Sequence, residues 1–488
     1  MRSAYSAAGL WLVVAATGCR SPEPEPSITV DDRLIDPETC EECHPTHFRE
    51  WQGSMHAYAA EDPVFLAMNA RGQRETNGEL GDFCVRCHAP MAVELGLTTD
   101  GLNLPELPQK VRGVTCFFCH TAEAVEGTHN NPLRLSGTRT MLGAIADPVA
   151  NSAHPSAYSA LLDSSTTASA DMCGTCHDVV TPAGVHLERT FAEWQETFFA
   201  DVDPITGGPA VYGLRCNNCH MGPPEMGTIA DSPGVRADRF RHPHGMAAVD
   251  VALHDWPSAE LGPQLRGEQL EQIEFQRKSA LCATVCVNPN DAGGSDIDIY
   301  LHNEFSAHAW PSGATQDRRT WLELQAFVGD EAVLQVGMIE DGEPVASVDD
   351  PLLWQFRDFM YGADGQEVHM FWDARSVDGN LLPASEVLSP EGDASTWRSR
   401  RYTVPESDID RVNTRLRLRP MGLDVLDDLV ASGDLDPSVR DAMSTFDVAP
   451  TVLEWTLEEA GEPQDDYGLC VSSSNVCGAP IVGADPPS

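Results

Sequence analysis

From residue 289 onward, apolar and polar positions alternate with a period of two. Ile297, Ile299 and Leu301 alternate with Asp and Tyr, and Leu322, Leu324, Ala326 and Val328 with Glu323 and Gln325. Leu334, Val336 and Met338 continue the pattern, as do Leu416 and Leu418 between arginines, and Leu453, Trp455 and Leu457. Side chains of a strand point to opposite faces in turn, so this pattern predicts half-buried antiparallel strands, assembled as a β-sandwich-like unit over 289–462. Two short helices are expected inside it, Leu423 to Val430 and a second from Asp436-Pro437 to about Phe446. Before it, Leu265, Leu270, Ile273 and Leu281 recur at helical spacing and predict a helical connector over 260–288. The stretch 36–259 has neither period. It is rich in Gly, Pro, Asn and His, and predicts short helices and irregular loops with a thin core of their own.

The cysteines explain how such a stretch holds together. Ten of the 15 form five copies of one motif: Cys40-Glu-Glu-Cys43-His44, Cys84-Val-Arg-Cys87-His88, Cys116-Phe-Phe-Cys119-His120, Cys173-Gly-Thr-Cys176-His177 and Cys216-Asn-Asn-Cys219-His220. Two thiols three residues apart on one turn can both reach the vinyl groups of one porphyrin, and the following His supplies the proximal iron ligand. Zinc knuckles or thiol redox pairs are the rival reading. Zinc requires motifs in pairs and no His after every second Cys, and five is an odd number to pair. The expectation is five covalently bound haem c groups, whose flat apolar faces replace the missing core. The fold class expected is α + β: a mostly helical and irregular multihaem cytochrome c domain at 36–259, then the antiparallel β-sandwich-like domain.

Electron-transfer haems usually take a second His. The candidates for the distal positions are His56, His154, His186, His244 and His308. His154 lies before the stiff Pro155, near the fourth motif in sequence. His242 competes with His244, and His129, His254 and His302 are reserves, whereas His47 lies too near its own motif. Met55, Met91, Met221 and Met246 could ligate and raise a potential, but are more readily read as packing residues.

The run Cys40 to Met68, with Trp51-Gln52-Gly53-Ser54-Met55-His56, resembles the multihaem cytochromes related to hydroxylamine oxidoreductase and the pentahaem nitrite reductases. So do His186-Leu187-Glu188-Arg189-Thr190-Phe191 with Trp194, and Asn303 to Gly313. The last segment is similar to a Gly-His-x-Phe-Pro-Thr-Gly turn from which a β-domain donates a His to a haem, with Ala307 and Trp310 in place of Gly and Phe. The resemblance covers about 37–323 and implies either electron transfer or chemistry on a small nitrogen or sulfur oxide such as nitrite, hydroxylamine or tetrathionate. Every motif ends in His, so the Lys-ligated catalytic haem of the pentahaem nitrite reductases is absent. The spare histidines suffice to close every iron, and the expectation is an electron carrier rather than an enzyme.

The N-terminus sets the compartment. Arg2 precedes a short apolar core, Leu10 to Ala16, ending in Ala16-Thr17-Gly18-Cys19, similar to a bacterial lipobox. Residues 1–19 are expected to be a signal peptide, with Cys19 the lipid attachment point, and 20–35 a Pro/Glu-rich linker. This predicts an exported lipoprotein in the periplasm or at the cell surface, tethered to the membrane by its lipid. The net charge of −44 excludes nucleic acid as a partner and points to redox partner proteins of basic charge. No nucleotide-binding glycine fingerprint or nucleophile elbow occurs, and the Asp-rich run 290–298 does not match a calcium loop. In the tail 463–488, Cys470 and Cys477 are expected to close a small disulfide loop; Cys282 and Cys286 could pair with each other, at the cost of strain in so short a loop.

Overall fold

The computed structural model describes residues 32–197, 199–200, 213–236, 238–303, 306–384, 397–461 and 468–473. The leader, Cys19, the linker and Cys477 lie outside the described residues. Helices and strands are both present, and among the described residues no helix is long and apolar enough to cross a membrane.

The motif-bearing part is built from short helices and two-stranded ribbons. Its longest helix, Pro63–Glu75, starts where Asp62 accepts a hydrogen bond from the Val64 amide and Pro63 presets the first turn. A core of Val85, Met91, Leu104, Phe117 and Phe118 gathers around the second and third motifs. Its small ribbons are antiparallel except for Met141–Gly143 with Ser156–Tyr158, which run parallel.

The connecting helix spans Gly262–Ser279, with Leu265 and Ile273 buried. Strand β1 (Leu281–Pro289) follows at once. Residues 281–288, read from sequence as connector, are therefore strand. Seven consecutive residues of β1 are buried, so there is no alternation to reveal it.

The remaining strands of the two larger sheets are β2 (Ser295–Asn303), β3 (Arg319–Val328), β4 (Glu331–Val336), β5 (Trp397–Val404), β6 (Arg411–Arg419), β7 (Phe446–Asp447), β8 (Leu453–Thr456) and β9 (Leu469–Ser472). One sheet runs β5-β2-β1-β9; the other runs β4-β3-β6-β7, with β8 also on β6. All of these pairs are antiparallel. Both sheets feed one apolar cluster: Val285, Ile297, Ile299 and Leu301 from the first, Leu322, Leu324, Val412 and Leu416 from the second. These include most of the alternating positions, because alternation reports one buried face.

Other positions differ from the pattern. The helix after Pro437 ends at Asp441, and Phe446 belongs to β7. Leu457 is exposed and opens a helical turn instead of extending β8. Two arginines of β6 are not solvated: Arg417 is buried, and Arg419 is fully buried, its guanidinium 5.3 Å from the Trp321 ring centre and donating to the Glu343 and Asp341 carbonyls. The helix Leu423–Ala431 packs against Pro63–Glu75 through Leu423, Val425, Leu426, Val64 and Ala67, and so ties the late chain to the motif region.

The disulfides also differ. Cys286 bonds Cys470, whose Cα is 4.1 Å away, because the register sets the two residues opposite each other across β1 and β9. Cys282 and Cys286 share one strand; four residues apart, they lie about 13 Å from each other, too far to bond. Cys282 is disulfide-bonded elsewhere. Cys470 is therefore not free to close the tail loop with Cys477.

Cys286–Cys470 joins segments 184 residues apart. Cys470→Ser should cost roughly 2–5 kcal/mol, read as a lower denaturation midpoint of the β-sheet circular dichroism. Thiol reductant should destabilise the wild type at least as much and leave the variant less affected.

Candidate haem-iron centres

Each motif occupies about one helical turn. In Cys40–His44, Cys84–His88 and Cys173–His177 the amide of the His donates to the carbonyl of the first Cys, at 2.7, 3.3 and 3.1 Å. This winding sets both thiols and the imidazole on one side of the turn. Thr115 caps the third motif by accepting from the Phe118 amide. Burial pushes the Cys84 and Cys119 thiols up to about 12.

The imidazoles are oriented by what their Nδ1 atoms touch. His44 Nδ1 donates to the Ile229 carbonyl at 2.7 Å, His88 to Ala59 at 2.9 Å, His120 to Leu142 at 2.7 Å and His220 to Ala247 at 3.0 Å. A carbonyl only accepts, so these four rings carry their proton on Nδ1 and keep Nε2 free for a metal. His177 departs from the pattern: its Nδ1 faces the Glu188 carboxylate at 3.5 Å.

Four motif histidines face a second ring. The centroid separations are 6.4 Å for His44 and His154, 6.1 Å for His56 and His177, 6.3 Å for His120 and His244, and 6.4 Å for His220 and His308. The interplanar angles are 25°, 38°, 19° and 18°. A metal–nitrogen bond of about 2 Å on each side plus half of each ring adds up to roughly this separation. It is too wide for ring-on-ring contact and fits an iron between two Nε2 atoms. Three of the facing rings are likewise held through Nδ1: His154 at 3.2 Å from the Pro155 carbonyl, His244 at 2.9 Å from that of His242, and His308 at 2.9 Å from that of Ala309. Burial lowers His56 and His244 to about 3 and His308 to about 4, which keeps them neutral as ligands must be. The residues present therefore fit haem.

The comparisons agree. The family described as "Cytochrome c554 and c-prime" matches residues 39–121, which hold the first three motifs. The fold is similar to that of a penta-heme cytochrome c552 from Thermochromatium tepidum, with a TM-score of 0.58 and 20% identity over 87% of this chain and 99% of that one. A search of curated proteins finds no match. This chain is a multihaem cytochrome c. Haem c is the cofactor that its attachment motifs would hold.

In this cytochrome the sequence candidates are distributed unevenly. His56, His154, His244 and His308 each come to a motif histidine. His154 comes to the first motif, although the fourth is its neighbour in sequence. His186 comes to none: its Nε2 meets Asp178 Oδ1 at 2.5 Å. The reason is strand geometry. His186, Leu187 and Glu188 form one edge of a ribbon with Val179–Val180; Leu187 points into a small core, and Glu188, on the same face as His186, is the residue that reaches His177. His242 is held by Ser164 and the Gly222 carbonyl, His254 by Tyr58, and His302 stacks on Trp397. His47 wedges edge-on against His44 and His244, at 5.9 and 5.0 Å.

No second histidine reaches His88 among the described residues. Its ring lies parallel to Phe65, 4.0 Å away. Phe65 and Glu188 carried no signal in the sequence, since each is an ordinary residue until folding sets it beside a motif ring.

The motifs of this cytochrome are also packed together. The thiols of Cys40 and Cys116 lie side by side, as do those of Cys87 and Cys176 and of Cys173 and Cys216. Cys119 lies near Cys173 and Cys176. The first motif thus adjoins the third, and the fourth adjoins the second, third and fifth.

His308→Ala and His154→Ala should each convert one low-spin haem to high spin in the electron paramagnetic resonance spectrum, with the other signals unchanged. The same substitution at His186 should leave every spin state as it was.

Proposed function

We propose that this cytochrome carries five haem c groups and passes electrons through them, with His44/His154, His177/His56, His120/His244 and His220/His308 as axial pairs. The five attachment motifs support the count. The observation that carries the reading is the set of four ring pairs at 6.1–6.4 Å. An iron closed by two histidines cannot bind substrate, and changes oxidation state with little rearrangement. The contacts between motifs support short hops, branching at the fourth centre. The two-sheet part of the chain, read as a sandwich, belongs to the redox unit because it donates His308.

One observation favours a second reading. No histidine faces His88 among the described residues, so the haem of Cys84–His88 would have an open sixth position; Phe65 stacks on the His88 ring itself and so lies on the near side of that haem. A small nitrogen or sulfur oxide such as nitrite, hydroxylamine or tetrathionate would bind there, with the other haems as its electron supply.

The leader supports export, and Cys19 a lipid anchor to a membrane facing the periplasm or the outside. The charge of −44 supports a basic redox partner.

The as-purified protein should show four low-spin haems and one high-spin haem, and cyanide should bind one haem per chain. Five low-spin haems inert to cyanide would remove the second reading. Two or more cyanide-binding haems would remove the four-pair assignment. Loss of fatty-acid labelling in Cys19→Ser tests the anchor.

A further inference from the structure

The four ring pairs differ in what stands behind them. In three pairs, both Nδ1 atoms face backbone carbonyls: Ile229 and Pro155 at the first motif, Leu142 and His242 at the third, Ala247 and Ala309 at the fifth. The pair at the fourth motif has no carbonyl on either side. His177 Nδ1 faces Glu188 Oε1 at 3.5 Å, and the Nδ1 of His56 is buried without a hydrogen-bond partner. The single acceptor behind this iron is therefore a carboxylate.

Local structure holds that carboxylate in place. The chain leaves His177, turns back at Gly184, whose φ of +82° suits the tight return, and pairs Glu188 with Val179. Asp178 pins the ribbon by accepting from the Ala192 amide and meeting His186. The Glu188 side chain is 17% exposed, and among the described residues His177 is its one ion-pair contact. The nearest other cation that feels its charge, Arg318, is itself paired with Asp250.

A carbonyl and a carboxylate affect a ligating imidazole differently. Both align the ring through Nδ1–H. The carboxylate also carries a full negative charge a few ångströms from the ligand and makes the imidazole a stronger donor to the metal. Both effects favour the ferric form over the ferrous form, which carries one electron more, and so lower the reduction potential.

We propose that Glu188 is a positioning residue for the fourth haem, which holds the His177 ring and sets the potential of that haem below the value a neutral acceptor would give. This rests on the proposed haem at Cys173–His177. The step concerned is the one-electron interconversion of ferric and ferrous iron, with the electron exchanged with a neighbouring haem and no bond broken. The position gives the effect its consequence. The fourth motif adjoins the second, third and fifth, and the second is the one whose iron has an open site. A low-potential centre at that junction holds an electron weakly and passes it to the open iron readily.

The test is Glu188→Gln, which keeps the size and an oxygen acceptor but removes the charge. Haem content by intact mass is measured first, and a missing fourth haem in the wild type would overturn the underlying reading rather than this one. With haem content unchanged, optical redox titration should show one low-spin haem shifted furthest to higher potential, a lesser shift at the fifth-motif haem, whose His308 also feels the Glu188 charge, and the other two low-spin potentials in place. The electron paramagnetic signal of one low-spin haem should change with it. Glu188→Asp, which withdraws the carboxylate by one methylene, should give a smaller shift in the same direction, and serves if Glu188→Gln does not mature. A residue that only supports the ribbon would alter stability and leave the potentials alone. Unchanged potentials in whichever variants mature, or a downward shift, would overturn the proposal.

Discussion

The facing of two histidines from distant parts of the chain, as the proposed iron coordination requires, is the constraint on which the rest depends. A pair such as His120 and His244 must stand with ring centres 6.3 Å apart, each ring turned so that one nitrogen faces the metal. That demands rigid backbone behind both rings, and the Nδ1–carbonyl bonds supply it. An irregular stretch with few apolar runs can meet this demand because each haem is bound covalently to one segment and through its iron to another. The porphyrin then acts as both cross-link and core, and long regular helices or sheets are not needed to position the ligands.

The two-sheet part extends the same logic. His308 follows β2, and its loop is fastened to the motif region at several points. Glu193 accepts from the Ala309 amide, Thr190 and Ser312 share a hydroxyl hydrogen bond, and Arg318 pairs with Asp250. Buried Asp358 holds Arg189, next to the residue that faces His177. The β-strands thus form a rigid wall that fixes one ligand and steadies another. This gives the long chain beyond the last attachment motif a part in the ligand geometry.

Function follows from how the irons differ. Three pairs backed by carbonyls suit reversible transfer. One pair backed by a carboxylate stands at the junction of the motifs, and one motif has no partner histidine. A uniform wire needs none of these differences. A chain that delivers electrons to a particular place needs a gradient, and the protein's means of making one are charge, hydrogen bonding and burial around ligands that are otherwise identical.

The attachment motifs were fully legible in the sequence, because covalent attachment and proximal ligation need fixed residue types at fixed local spacing. Strands such as β2 and β3 were legible for a similar reason: apolar residues on one face and polar ones on the other leave a period of two, even where, as in β3, both faces are buried. β1 was not, since both its faces are buried and its sequence shows no such alternation, and the buried arginines of β6 looked solvated because burial on the second face leaves no trace in alternation. His56 and His308 stood out by local context, but the pairing of His154 with the first motif did not, since the chain returns to that motif only in three dimensions. The same holds for Cys286 opposite Cys470, for Phe65 beside His88, and for Glu188 rather than His186 reaching His177. Sequence alone determined which groups could bind haem. Only the tertiary structure decided which of them meet, because distances between remote segments are set by packing and strand register, and neither leaves a local pattern.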